Sequence, residues 1–169
     1  MSNGELKNWA LVLGASSGFG GAAALELARA GYSIFGVHLD RKSTMPNVEK
    51  LVGEIEATGQ SAVFFNVNAA DAEKRDEVLA EMSKRTDAGS SGTVKVLLHS
   101  LAFGTLKRFV GETPADEISA AQMAMTMDVM ANSLVCWTQG VMRHGLMRSG
   151  GRIYALTSAG SHRVWPFYG

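Results

Sequence analysis

The stretch Gly14-Ala15-Ser16-Ser17-Gly18-Phe19-Gly20 constrains the fold of this chain more than any other. It follows a short apolar run, residues 9–13, and opens a helical pattern over residues 18–30. Ala22, Leu25 and Ala28 repeat on one face of that helix, and Gly31 stops it. The first glycine permits a tight turn from strand into helix. The later ones let backbone approach a pyrophosphate at the helix N-terminus, where free N–H groups and the helix dipole favour an anion. Ser16 and Ser17 add hydroxyl donors. A ligand-free tight turn is the plainer alternative, and the strand before and helix after weigh against it.

The rest of the chain repeats this alternation. Short apolar runs at residues 33–37, 62–65, 94–98 and 152–157 read as strands. Between them, Asn47 is placed to cap a helix whose Val48, Leu51, Val52 and Ile55 line one face, with Gly59 at its end. Residues 71–85 form a charged helix with Val78, Leu79 and Met82 on its apolar side. Thr113-Pro114-Ala115-Asp116 carries a threonine cap, a proline at the first helical position and an early carboxylate, which predicts a helical stretch from 113 to about 148 with internal breaks. Residues 41–47 and 103–112 read as surface loops, and Gly150-Gly151 as a turn. Apolar strands separated by helices predict an α/β doubly wound Rossmann fold: a parallel sheet of five strands, covered on both faces, in one domain over residues 1–169.

Composition narrows the function classes. Sixteen basic and sixteen acidic side chains cancel, which leaves no footprint for nucleic acid or a membrane surface. The single cysteine, Cys136, lies in an apolar run, reads as a small core residue and allows no internal disulfide, in keeping with a cytoplasmic setting. The polar N-terminus has no signal-peptide pattern, and no stretch approaches a membrane span. No residue pattern suggests a metal site.

The Gly-x-x-x-Gly-x-Gly spacing of Gly14, Gly18 and Gly20 resembles the signature of the short-chain dehydrogenase/reductase superfamily, and the likeness runs from Trp9 to Gly169. Leu13 departs from the threonine usual there. The resemblance implies a nicotinamide cofactor. A carboxylate at the end of the second strand would bond the adenosine ribose and favour NAD. Asp40 falls a little past that end, and Arg41-Lys42 follow at once. Basic groups there suit a 2′-phosphate, so the balance leans slightly to NADP, with a solvated charged loop as the alternative. His38 is nearer the strand end and reads either as a ribose neighbour or as a surface histidine. The resemblance also implies that Asn66 bonds the adenine amine and Val67 flanks the ring. The plainer alternative is that both asparagines cap the next helix, a place that suits Asn68.

His99-Ser100-Leu101-Ala102-Phe103 stands where many members carry Asn-Asn-Ala-Gly, and is similar to the enoyl-acyl-carrier-protein reductase branch. The backbone of Ser100, Leu101 and Ala102 would then pass under the adenine ribose and nicotinamide, while His99 terminates the strand. The same branch is suggested by Ser158 and Tyr168, which lie ten positions apart, closer than in carbonyl-reducing members. The resemblance makes these two the catalytic pair. Tyr168 donates a proton or hydrogen bond to the oxygen that gains charge as hydride arrives. A free tyrosine titrates near about 10, so it needs a nearby cation, and the family's lysine would fall beyond Gly169. The resemblance implies that the chain is the front portion of a longer, homo-oligomeric product, inactive alone. Met130 occupies the place of a catalytic asparagine, which enoyl reductases often lack. Phe103, Trp165 and Phe167, with Met123, Met125, Met127 and Met130, form either the wall of an acyl pocket or helix core.

The expected activity is hydride transfer from NADP or NAD to an enoyl thioester, free or carrier-bound, as in fatty acid biosynthesis. A carbonyl or hydroxy-compound dehydrogenase is the alternative. Leu13, Met130 and the absence of the lysine keep open a non-catalytic NAD(P)-binding module. A structural protein of the same fold is the remaining reading.

Overall fold

The computed structural model describes residues 6–163 and 165–167. Five parallel strands form one sheet: β1 (Lys7–Leu13), β2 (Ser33–His38), β3 (Ala62–Asn66), β4 (Gly92–His99) and β5 (Arg152–Ala155), in the order β3-β2-β1-β4-β5. The first three strands step outward from β1 on one side. The chain then returns across the sheet to place β4 and β5 on the other. This reversal between β1 and β4 is the topological switch point, where connections diverge and leave a crevice at the carboxyl ends of the strands. The expected doubly wound architecture is present.

The alternation of β1 shows why both faces are covered. Trp9, Leu11 and Leu13 point into one core with Phe35, Val37, Val78, Leu79, Met82, Leu97 and Trp137. Ala10 and Val12 point into the other, with Ala24, Ala28, Ile34 and Ile55. Helices α1 (Gly18–Arg29) and α2 (Met45–Glu56) cover the second face. Its alanines keep α1 close to the sheet. The first face lies beneath α3 (Ala72–Arg85) and the later helices. There Trp137 is fully buried and its indole N–H donates to the Ala69 carbonyl at 2.9 Å. Trp9 and Phe35 stack with ring centroids 3.9 Å apart.

Several boundaries differ from the sequence expectation. Thr44, not Asn47, precedes α2. The Thr44 hydroxyl bonds Asp40 and the Arg41 carbonyl, and Pro46 fits inside the first helical turn. Residues 45–47 therefore belong to the helix and not to the loop. Thr113-Pro114 opens only a single 3-10 turn, Pro114–Asp116. Glu117 is then pulled into extended backbone because Ile118 donates its N–H to the Arg108 carbonyl at 2.9 Å. The long helix starts again at Ser119, which forms a reciprocal capping box with Gln122. It runs as α4 (Ala120–Met127), a π-turn (Asp128–Asn132) and α5 (Ser133–Arg143). Cys136 is half-buried, not a deep core residue. Finally, β5 ends at Ala155, earlier than the expected residue 157, and its four residues are exposed.

Candidate active site

The glycine turn is pinned to β2, because the N–H groups of Gly14 and Ala15 both donate to the Val37 carbonyl, at 2.8 and 3.0 Å. Each glycine of the turn has a separate physical reason. A Cβ on Gly14 would run into the Ser100 carbonyl, and one on Gly20 would overlap the Gly14 carbonyl oxygen. Gly18 is different: its φ of +54° suits glycine, yet nothing lies within 4 Å of where its Cβ would stand. That open space lies at the N-terminus of α1. Ser17 occupies the cap position in extended backbone with no side-chain capping bond, and the first turn holds no acidic residue. Exposed N–H groups, an uncommitted hydroxyl and vacant space fit a pyrophosphate. Ser16 is half-buried beside this turn, whereas Ser17, Gly18 and Phe19 are exposed, Phe19 at 84%.

Asp40 and Asn66 meet at the ends of β2 and β3. The Asp40 carboxylate contacts the His38 Nδ1 at 3.0 Å and accepts from the Thr44 hydroxyl at 2.7 Å. The Ser16 hydroxyl is the largest influence holding this carboxyl below its ordinary range. Partial burial opposes it, and Thr44 and His38 assist. Asn66 accepts the Asp40 N–H at 2.9 Å and donates to the Asp40 carbonyl at 3.0 Å. Both polar ends of the Asn66 amide therefore hold the loop after β2. Val67 is half-buried beside it and donates its N–H to the His38 carbonyl at 2.8 Å. His38 is buried rather than on the surface. Arg41 and Lys42 stand exposed, with no carboxylate partner among the described residues.

The third part of the site lies at the ends of β4 and β5. Ser100 donates its N–H to the Leu13 carbonyl at 2.8 Å, which seats the Ser100–Ala102 backbone directly against the glycine turn. Leu101 packs on the core, and Ala102 is exposed. His99 is buried. Its Nε2 meets the Ser133 hydroxyl at 2.8 Å, and burial pushes the imidazole pKa down. Leu156 bonds back to the His99 carbonyl at 3.0 Å, so the segment leading to Ser158 leaves from the same point. The Ser158 hydroxyl accepts the Gly160 N–H at 3.2 Å and keeps its own proton to donate. Tyr168 lies outside the described residues. Loop 103–112 is tied to α4 through Thr105 and Thr126, and Arg108 stacks over the Phe167 ring at 5.3 Å. Phe103, Met127, Met130 and Trp165 are exposed large apolar side chains of these segments. Among the described residues no three His, Cys, Asp or Glu side chains converge as a metal-binding group.

The glycine turn, the loop after β2 with Asn66, and the Ser100–Ala102 segment are the sequence-predicted segments that the structure brings together at this edge. Sequence patterns did not reveal Thr44 or Ser133, because neither belongs to a local motif. Their partners become neighbours only once helix and sheet are packed.

A parallel sheet in the order β3-β2-β1-β4-β5, with a glycine turn joining β1 to α1, defines a Rossmann-type α/β protein. A family model described as "Enoyl-(Acyl carrier protein) reductase" matches residues 14–169. The chain belongs to that family, within the short-chain dehydrogenases/reductases. It is 28% identical to 17-beta-hydroxysteroid dehydrogenase type 3 of Mus musculus over 97% of this chain, and spans 49% of that relative. Among solved structures it resembles an alcohol dehydrogenase from Thermococcus sibiricus, complexed with 5-hydroxy-NADP (25% identity, TM-score 0.76, covering 96% of this chain and 63% of that one). A 3-oxoacyl-[acyl-carrier protein] reductase from Brucella melitensis shares the fold (20% identity, TM-score 0.73, covering 96% of this chain and 61% of that one). The chain thus spans about half the length of the curated relative it matches. No helix among the described residues is long and apolar enough to cross a membrane.

Proposed function

We propose that this chain is the cofactor-binding portion of an NAD(P)H-dependent reductase acting on an enoyl thioester, free or carrier-bound. The observation that carries the reading is the open space beside Gly18 at the N-terminus of α1, where Ser17 makes no side-chain capping bond. When bound there, the nicotinamide cofactor supplies a hydride. Gly14, Gly18, Phe19 and Gly20 with the Ser17 hydroxyl and the Ser16 main chain would hold its pyrophosphate, the Ser16 hydroxyl being committed to Asp40, and Ser100, Leu101 and Ala102 would hold its ribose and nicotinamide end. Asp40, Asn66 and Val67 would border the adenosine. NADP is preferred. The Asp40 carboxylate already has the protein donors Thr44, Ser16 and His38, while Arg41 and Lys42 stand free for a 2′-phosphate.

Chemistry falls to Ser158 and Tyr168. The Ser158 hydroxyl, accepting from Gly160, has its proton available to orient a substrate oxygen. Tyr168 would stabilise that oxygen as charge develops on it. The exposed Phe103, Met127, Met130 and Trp165 suit an acyl chain, and the short Ser158-to-Tyr168 interval favours the enoyl over the carbonyl substrate. Likeness to a hydroxysteroid dehydrogenase supports the second reading, reduction of a ketone or oxidation of an alcohol. The complete protein is expected to be a homo-oligomer.

The test is oxidation of NADPH and NADH by the full-length protein with crotonyl-thioester. Consumption abolished by Tyr168→Phe supports the reading. Tight cofactor binding without consumption overturns the enoyl assignment and directs attention to carbonyl substrates.

A further inference from the structure

His99 holds three segments together at the carboxyl edge of the sheet. Its carbonyl accepts the Leu156 N–H at 3.0 Å, two residues before Ser158. The next amide, that of Ser100, is fixed to Leu13 immediately before the glycine turn. Its side chain reaches Ser133, at the junction of the π-turn and α5.

The direction of the side-chain bonds follows from proton counting. The Ser133 hydroxyl donates its one proton to the Val129 carbonyl at 2.7 Å. The His99 Nε2–H is then the donor to the Ser133 oxygen at 2.8 Å, and the Val129 carbonyl also lies close enough to act on the same imidazole. The π-turn explains why the hydroxyl is needed. The Ser133 N–H is directed at the Asp128 carbonyl, five residues back, and not at Val129 as α-helical spacing would have it. The Ser133 hydroxyl, and not its N–H, is thus the group of this residue that reaches the Val129 carbonyl. His99 and Ser133 are both buried, so water does not compete for these groups. Met130, 45% exposed, sits one residue beyond Val129 on the same turn.

We infer that His99 is a positioning residue, whose Nε2–H through the Ser133 hydroxyl locks the π-turn at 128–132 against the strand ends carrying Ser100 and Ser158. The inference rests on the reductase reading, since what it positions is the wall facing the reacting atoms. A misplacement of about 1 Å at such a wall can slow turnover by about a hundredfold.

The test uses His99→Leu, Ser133→Ala and His99→Gln in the full-length protein, with two readouts. One is amide hydrogen exchange over residues 129–134. The other is kcat and cofactor KM with NADPH and crotonyl-thioester. Glutamine places an N–H donor near the position of Nε2. His99→Leu and Ser133→Ala should accelerate exchange in this segment about tenfold or more. They should lower kcat by about ten- to a hundredfold with cofactor KM within about twofold. His99→Gln should recover most of both. Ser133→Ala is the milder change and decides the matter if His99→Leu fails to fold. Unchanged exchange or unchanged kcat in Ser133→Ala overturns the inference, as does a glutamine variant no better than leucine. A wild-type protein inactive on crotonyl-thioester overturns the substrate reading alone, and the exchange pattern then decides the relay.

Discussion

Gly18 and Gly20 lie two residues apart, and the structure assigns them opposite reasons for lacking a side chain. Replacing each with alanine separates a ligand cradle from a packing constraint. At Gly18 the added methyl meets nothing within 4 Å, and only the φ of +54° opposes it. An L-residue in this region costs about 1–2 kcal/mol, partly offset by about 0.4–1 kcal/mol from the stiffer unfolded chain. A net loss of about 1 kcal/mol lowers Tm by about 2–4 °C in a protein of this size. The same methyl would enter the space proposed for the pyrophosphate. Losing one charge-assisted N–H bond there costs about 1.5–3 kcal/mol, or about ten- to a hundredfold in NADPH affinity. At Gly20 the methyl would overlap the Gly14 carbonyl oxygen, so the turn itself must move. Overpacking of that kind costs about 1–3 kcal/mol or more in stability, and affinity falls with it. Thermal melts and NADPH fluorescence titrations on both variants read the two quantities separately. Wild-type affinity in Gly18→Ala, with a Tm shift as small as expected, would refute the cradle, because the methyl would then occupy space no phosphate uses.

Three further outcomes follow from the same geometry. Replacing Arg41 and Lys42 together with alanine should lower the NADPH-over-NADH preference in kcat/KM by about tenfold or more while leaving NADH nearly unaffected, and an unchanged ratio assigns the 2′-phosphate to other groups. Trp137→Ala removes a fully buried ring and its bond to Ala69, and should cost about 3–5 kcal/mol in urea unfolding, whereas a loss below about 1 kcal/mol contradicts its place in the core. Burial lowers the His99 pKa from 6.5, so the unfolded chain takes up that proton first. Its contribution to stability is complete above the unfolded value and is lost as pH falls through the lower folded one. Denaturation curves between pH 7.5 and pH 5 should therefore show a slope that His99→Gln removes, and a slope that survives the substitution assigns it to other groups.

Much of this architecture was legible because its signals are local. Each strand is a run of apolar residues bounded by polar or glycine punctuation, and burial on both faces of a parallel sheet requires just such runs. The glycine turn was legible for the same reason: strand, turn and helix are contiguous, and sterics at Gly14 and Gly20 leave little choice of residue. The break after Thr113 was not legible. Threonine, proline and an early carboxylate make a sound helix start, but Arg108 captures Ile118 and the extended backbone wins for the residues between. The restart alone has a local sign, the Ser119–Gln122 capping box, while the extended residues before it have none. A cap motif gives the preference of four residues, while a ladder bond to another segment is set by where that segment has already folded.

The same distinction explains the site. Asp40 reads as a ribose ligand when taken with the strand that precedes it, yet its carboxylate is shared among Ser16, Thr44 and His38, and its backbone is clasped by Asn66. Two residues expected to touch the cofactor separately are thereby joined to each other. If they hold the loop in place, Arg41 and Lys42 become the groups that face outward, and cofactor choice shifts from the acidic residue to the basic pair behind it. A substitution at Asp40 would then act on NADPH and NADH alike by loosening the loop, whereas one at Arg41 or Lys42 would discriminate between them. That contrast, and not the presence of a carboxylate after β2, is what separates a ribose ligand from a loop anchor.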